Sequence, residues 1–478
     1  MMKISYKNCA KSFFIILNCW TSLGLGAQSE LNTYIVPGAE WTDTEGNPIQ
    51  SHGAGMIQVG PKWYWFGEDK SENQSHFLGI SCYQSIDLLN WSRLPNVLDA
   101  KPGTPLNDSI IVERPKVIFN EFTDTYVMYF HYDSHNYALA QVGVATSQNI
   151  DRGWSFSRSF SPLNSESRDM SLFKDDDGSA YLSFASDHNA NLKLAKLSYD
   201  YLSVTELVFQ WNKVYWEATG IFKHQGLYYM LYSGQDGWNP NPNYVMHASH
   251  LSGPWSGASL IAPKDIKTYF SQNAYELAIQ GNETTSFIYI GDRWFPSALG
   301  TSKYVWLPLM KKDSVLQLQW ADVWSIDIAT GQIKIEIGTT YKPKDIPTSG
   351  SFLKRLRLIG PSHLFTLLWQ PSQKTFLLNE SFKKTYVFDQ IKGTSNSKTS
   401  NSNWCSIYYN VNSETNENLA GRIFINNKVV YKFFKFLPSK GLISVPIKIK
   451  LHANKNISNK ILISLTSKEI NIDKIIIY

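Results

Sequence analysis

The chain of 478 residues has room for two domains, and its net charge of +5 is small for that length. No basic stripe of the kind that tracks nucleic acid runs along it, and no apolar run is long enough to span a bilayer. Aromatic residues make up 14% of the chain, more than a core normally needs. In a β-rich protein that surplus suggests rings that stack on sugars, although ordinary packing accounts for most of them.

In chain order, Lys3, Lys7 and Lys11 precede a short apolar stretch, Phe13 to Leu17 and then Trp20 to Leu25, with small residues up to Ala27. This reads as a secretory signal over residues 1–27, and the expected destination is extracellular or, in a Gram-negative cell, periplasmic. Cys9 and Cys19 would leave with it. Cys82 and Cys405 fall in different expected domains, so a disulfide between them is not favoured and the fold does not depend on one.

Residues 28–345 show alternating or aromatic runs broken by Gly, Asn and Asp turns, with almost no helical periodicity. Similar units open at His52, Glu113, Asp169, Glu217 and Gln272, a period of roughly fifty residues that points to propeller blades. Each has a first strand, a tight turn and an aromatic second strand, as in Trp216-Glu217 leading to Gln225-Gly226 and then Tyr228 to Ser233. Asp175-Asp176-Asp177-Gly178 is a hairpin turn by its chemistry; a calcium loop is the alternative, with incomplete ligand spacing. Tyr304 to Leu309 and Val323 to Ile328 are expected to complete the fifth unit. Residues 346–478 change texture, with a polar loop at 394–403 and further strands, and read as a β-sandwich. The expected fold is all-β: a five-bladed β-propeller followed by that sandwich.

Innermost strands of a propeller line its axis, so the residues that open the units converge there. Glu113, Asp169 and Glu217 at equivalent positions are hard to explain by packing, because an unpaired buried carboxylate costs several kcal/mol. The plain alternative is interblade salt bridges with Arg114, Arg168 and Arg293. Glycoside cleavage needs a proton donor to the leaving oxygen; with inversion it also needs a group that handles water, carboxyls lying roughly 6.5–9.5 Å apart. Glu217 suits the donor, with Trp216 as an apolar shelf and Asp169 as a neighbouring charge. Sugar contacts are expected from Glu68, Tyr137, Asp187, Trp238, Asn239 and Trp294, in loops after the inner strands.

Over residues 33 to about 335 the chain resembles glycoside hydrolase family 43, five-bladed propellers that act with inversion. The resemblance lies in Trp216-Glu217 through Tyr229-Met230-Leu231-Tyr232-Ser233 and in Ser167-Arg168-Asp169-Met170-Ser171. It implies that Glu217 is the acid and that Asp169 tunes it and positions substrate. The first blade reads Gln50-Ser51-His52-Gly53, with no aspartate where the family's usual base stands. That departure is similar to the exo-β-1,3-galactanase subgroup, where a fifth-blade Gln, here Gln272, is implied to hold the water in its imidic tautomer. Val112-Glu113-Arg114-Pro115 matches that subgroup's additional acid. Either Gln272 orients the water, or Glu113 is the base and Gln272 binds sugar; His52 is a substrate contact or structural. Residues 346–478 faintly resemble carbohydrate-binding module family 35. The implied activity is exo-acting, inverting hydrolysis of β-1,3-galactan with no cofactor and no catalytic metal, by a chain acting as a monomer on a polysaccharide. An arabinofuranosidase or xylosidase of the same fold and a non-catalytic glycan-binding propeller are the rivals.

Overall fold

The computed structural model describes residues 31–312, 315–345, 382–392, 402–412, 419–452 and 457–478. The expected signal and most of the 394–403 loop lie outside them, while Ser402 and Asn403 open a strand. Five four-stranded antiparallel sheets follow one another. Their inner strands are His52–Val59, Ile110–Asn120, Met170–Lys174, Trp216–His224 and Gln272–Gln280. Apolar side chains of neighbouring blades interlock: Val127 and Tyr129 of the second pack with Leu182 and Phe184 of the third.

The ring closes between the first and fifth blades. Ile35 pairs with Trp324 in both directions, at 2.7 and 3.1 Å. Beneath this closure Trp65, Trp91, Trp306 and Trp324 are buried together, with Trp65 and Trp306 centroids 5.0 Å apart. Core packing, not sugar stacking, thus absorbs much of the aromatic surplus. The fifth blade ends differently from expectation: its outer strand is Val315–Leu318, and Trp324–Ile326 leaves to pair with Ile333–Ile335. Trp324 is drawn away because its indole fills the closure core.

The C-terminal strands form a four-stranded and a five-stranded sheet that share one core, including Ile407, Tyr409, Ile423, Ile463 and Ile475. Thr339–Tyr341 and Lys344–Asp345 already belong to these sheets, so strand pairing crosses into them before residue 346. Ala262, Ile266 and Phe270 join the same core, which places the sandwich under the segment that leads into Gln272. Cys82 and Cys405 are free and buried, one in each domain.

Asp322 links the domains. It accepts hydrogen bonds from Trp320 Nε1 at 2.9 Å, Tyr408 OH at 2.5 Å, Ser444 Oγ at 2.5 Å and Tyr478 OH at 2.8 Å. Asp322→Ala would leave these donors, three half-buried and Ser444 buried, unpaired, an expected loss of about 2–4 kcal/mol. The check is thermal unfolding, in which the variant's midpoint falls and the sandwich separates as an earlier transition.

Candidate active site

The leading ends of the inner strands meet at one mouth of the ring, around a cavity of about 320 Å³. Glu68, Glu113, Arg114, His131, Tyr137, Arg168, Asp169, Asn189, Glu217, Gln235, Trp238, Gln272 and Trp294 line it. A local device aims several of them. The ladder slips at a β-bulge between His52 and Gly55, Glu113 and Lys116, Glu217 and Gly220, and Asn273 and Tyr275. Gly53, Arg114 and Ala218 take left-handed φ values of 61°, 53° and 54° in these bulges. A bulge bends the strand and re-aims side chains, and it also tolerates Pro115, which could not donate to a regular ladder. Gly53 has a further requirement: a Cβ there would sit 2.3 Å from Glu68 Oε1.

Arg114 is the hub. Its Nε lies 2.9 Å from Asp169 Oδ2, its Nη2 donates to Gln272 Oε1 at 2.9 Å, and its Nη1 donates to the Asn273 carbonyl at 3.0 Å. Its backbone N–H donates to Glu68 Oε1 at 2.9 Å. Asp169 Oδ2 also accepts the Ala218 N–H at 2.9 Å, which ties the third blade to the bulge beside Glu217. One planar guanidinium thus sets the third blade against the fifth.

Glu217 is buried and accepts a hydrogen bond from Gln272 Nε2 at 3.0 Å. Burial, and then the charge of Asp169, holds its carboxyl well above the usual range, against the opposing pull of Arg114. Glu113 goes the other way. Burial alone would raise it, but the hydrogen bond and charge of His131, the charge of Lys70 and the Tyr137 hydroxyl bring it down to about 2. Tyr137 OH donates to Glu113 Oε1 at 2.8 Å. His131 stands between two carboxylates, Nδ1 3.2 Å from Glu113 and Nε2 2.8 Å from Asp133. Burial works against its charge, yet these two partners lift its pKa to about 9. The cavity therefore holds one carboxyl whose pKa is pushed up and another whose pKa is pushed down, the separation that acid catalysis uses.

Glu113, His131 and Asp169 also bring ligand-type atoms within 4.8 Å of one another, as a metal site would. Here both ring nitrogens of His131 face carboxylates, and Asp169 is paired with Arg114. The cluster's own cations already balance its carboxylates.

A family model for glycosyl hydrolases family 43 matches residues 47–315. The chain belongs to glycoside hydrolase family 43. The hydrolase is similar to an exo-β-1,3-galactanase of Phanerochaete chrysosporium solved with β-1,3-galactotriose: 38% identity, TM-score 0.80, covering 93% of this chain and 100% of that one. It is similar to an exo-β-1,3-galactanase of Clostridium thermocellum at 35% identity and a TM-score of 0.61, covering 65% and 71% of the two chains. A family 43 β-1,3-galactosidase solved with galactodeoxynojirimycin shares 32% identity at a TM-score of 0.57, covering 61% and 100%. No curated protein matches the chain.

In this family 43 hydrolase Gln272 faces the acid. Its Oε1 accepts from Arg114 and, at 3.0 Å, from Trp294 Nε1; its Nε2 donates to Glu217 and, at 3.3 Å, to Ser233 Oγ. Every hydrogen-bonding position of the amide is taken, so in this arrangement it fixes Glu217 and has none left for a water. Glu68 lines the cavity, with Lys70 Nζ 2.9 Å from its Oε2. Trp238 and Trp294 form a rim, centroids 4.8 Å apart and nearly perpendicular.

Three expectations are corrected, and of the two roles left open for His52 the structural one fits its place. His52 does not reach the cavity: it is fully buried, 2.9 Å from Asp292 Oδ1, and stacks on Tyr304. It also packs 5.2 Å from Trp294, so it supports the rim from behind. Asn239 is exposed and donates to the Asp236 carbonyl of its own loop. Asp187 is held outside by Asn191 at 2.6 Å. Trp216 is not the shelf for Glu217, because adjacent strand residues point to opposite faces; it stacks on Tyr232 at 4.0 Å.

Sequence reading passed over His131, Asn189 and Gln235 and took Arg114 and Arg168 only as possible ion-pair partners. The Arg114 ion pair exists and is part of the site. The one local signal was Pro115 inside a strand, which marks a bulge. For Asn239→Ala the expected change in kcat/KM is less than about twofold, as for other exposed positions, measured on oligosaccharide.

Proposed function

We propose that this enzyme is an inverting, exo-acting β-1,3-galactanase that releases galactose from the chain end. The observation that carries the reading is a buried Glu217, hydrogen-bonded by Gln272, beside the Arg114-bound Asp169 at the ring mouth. The likeness to β-1,3-galactan-cleaving enzymes supplies the substrate class. A cavity of about 320 Å³ with the Trp238–Trp294 rim suits a terminal sugar better than a chain running through.

Glu217 gives its proton to the glycosidic oxygen as the bond to the anomeric carbon breaks. Asp169 and Glu113 offer negative charge to the developing oxocarbenium ion. Water attacks the anomeric carbon from the opposite face, and its proton passes to Glu113, the cavity carboxylate whose pKa is held down. Gln272 orients this water by giving up one contact on sugar binding, and the Ser233 contact at 3.3 Å is the longest it holds. The lysine-bearing N-terminus and the apolar run behind it support action outside the cytoplasm.

The test is digestion of β-1,3-galactotriose beside aryl arabinofuranoside and xyloside. Galactose and galactobiose are expected from the first, and little from the others. Cleavage of the pentosides alone would overturn the substrate assignment.

A further inference from the structure

A second cleft, of about 650 Å³, lies between the N-terminal segment, the fifth blade and the C-terminal sandwich. Its walls carry Trp41 from the propeller side and Trp404, Tyr431 and Phe434 from the sandwich. Four basic side chains line it, Arg293, Lys303, Lys435 and Lys448, against one acidic side chain, Glu40.

Arg293 sets this cleft apart. It is 3% exposed, yet among the described residues no carboxylate lies within ion-pair distance. Its Nη2 donates to the Tyr269 carbonyl at 2.7 Å, and its Nε has no hydrogen-bond partner. Gly38 makes room for it: a Cβ there would meet Nη1 at 2.3 Å, and Gly38 has φ +77°. A buried guanidinium without a counter-charge is costly, and an anionic ligand would relieve that cost. Lys435 and Lys448 are exposed at the rim, and Lys448 Nζ stands 5.8 Å over the Trp404 ring. Ring faces beside cations form the chemistry that recognises a sugar bearing a carboxylate.

We propose that this interdomain cleft is a second carbohydrate site, selective for an oligosaccharide that carries uronic acid. The sugar class rests on the galactan reading above; the anion preference rests on the cleft's own charges. Such a site would hold an acidic part of a glycan while the propeller mouth works on a neutral end.

The experiment titrates digalacturonate, β-1,3-galactobiose and sodium acetate into the Glu217→Gln protein, followed by tryptophan fluorescence and calorimetry. The same titrations use a variant that adds Lys435→Ala and Lys448→Ala, two exposed positions, with near-ultraviolet circular dichroism as the fold check. Digalacturonate should saturate one site and lose affinity at least about tenfold in the added variant, in line with two lost charge contacts. Raised salt should weaken it likewise. Equal affinity in both proteins, no digalacturonate binding, or acetate binding as tightly as digalacturonate would overturn the proposal. Galactobiose reports on the propeller mouth: if it fails to bind while digalacturonate binds, the galactan reading falls and the acidic-sugar site stands.

Discussion

Glu217→Gln should slow galactose release from β-1,3-galacto-oligosaccharides by about 10²–10⁴-fold, the usual worth of a positioned general acid. The amide keeps the shape and can still meet Gln272, so the fold should persist. The diagnostic companion is a β-galactoside whose leaving group departs without protonation, on which the variant should lose less than about tenfold. The pH profile follows from the same carboxyl. Its pKa is held above 4.5, and activity needs the protonated form, so the rate is retained below the folded pKa and lost as pH rises through it. Glu113, at about 2, stays ionised across that window. Stability has the same sign. The folded chain binds the Glu217 proton more tightly than the unfolded one, so this contribution is full below 4.5 and lost as pH rises through the folded value.

Arg114→Met should be the most damaging change at the site outside the acid itself. It would leave Asp169 without its ion pair and remove a donor from Gln272 and from the Asn273 carbonyl. Breaking a buried pair on one side costs about 3–5 kcal/mol, and activity should fall by more than about 10²-fold. What remains should show an alkaline limb moved upward, because Arg114 is the main group lowering the Glu217 pKa. Arg114→Lys keeps a charge, but a single ammonium cannot reach Asp169, Gln272 and Asn273 together. It should recover more stability than activity. Chemical denaturation and the pH dependence of kcat/KM measure the two effects separately.

The periodic signals were legible in the chain. Strand alternation and turn chemistry located all five inner strands, and the residues opening four of them do meet in one cavity. His52 fails this pattern because the first blade lies against the ring closure, where Asp292 and Tyr304 claim it. Arg114 and His131 were harder to place, since their roles depend on which blades face each other across the axis. No local spacing encodes that Arg114 reaches Asp169 and Gln272. Trp238 and Asn239 are adjacent in one loop, yet only the tryptophan turns inward; loop chemistry alone does not distinguish them.

The direct test of inverting acid catalysis by Glu217 is proton NMR of the first galactose released from β-1,3-galactotriose, recorded before mutarotation. α-Galactose from the wild type, absent with Glu217→Gln, is the predicted result. β-Galactose as first product, or undiminished release by the variant, would contradict it.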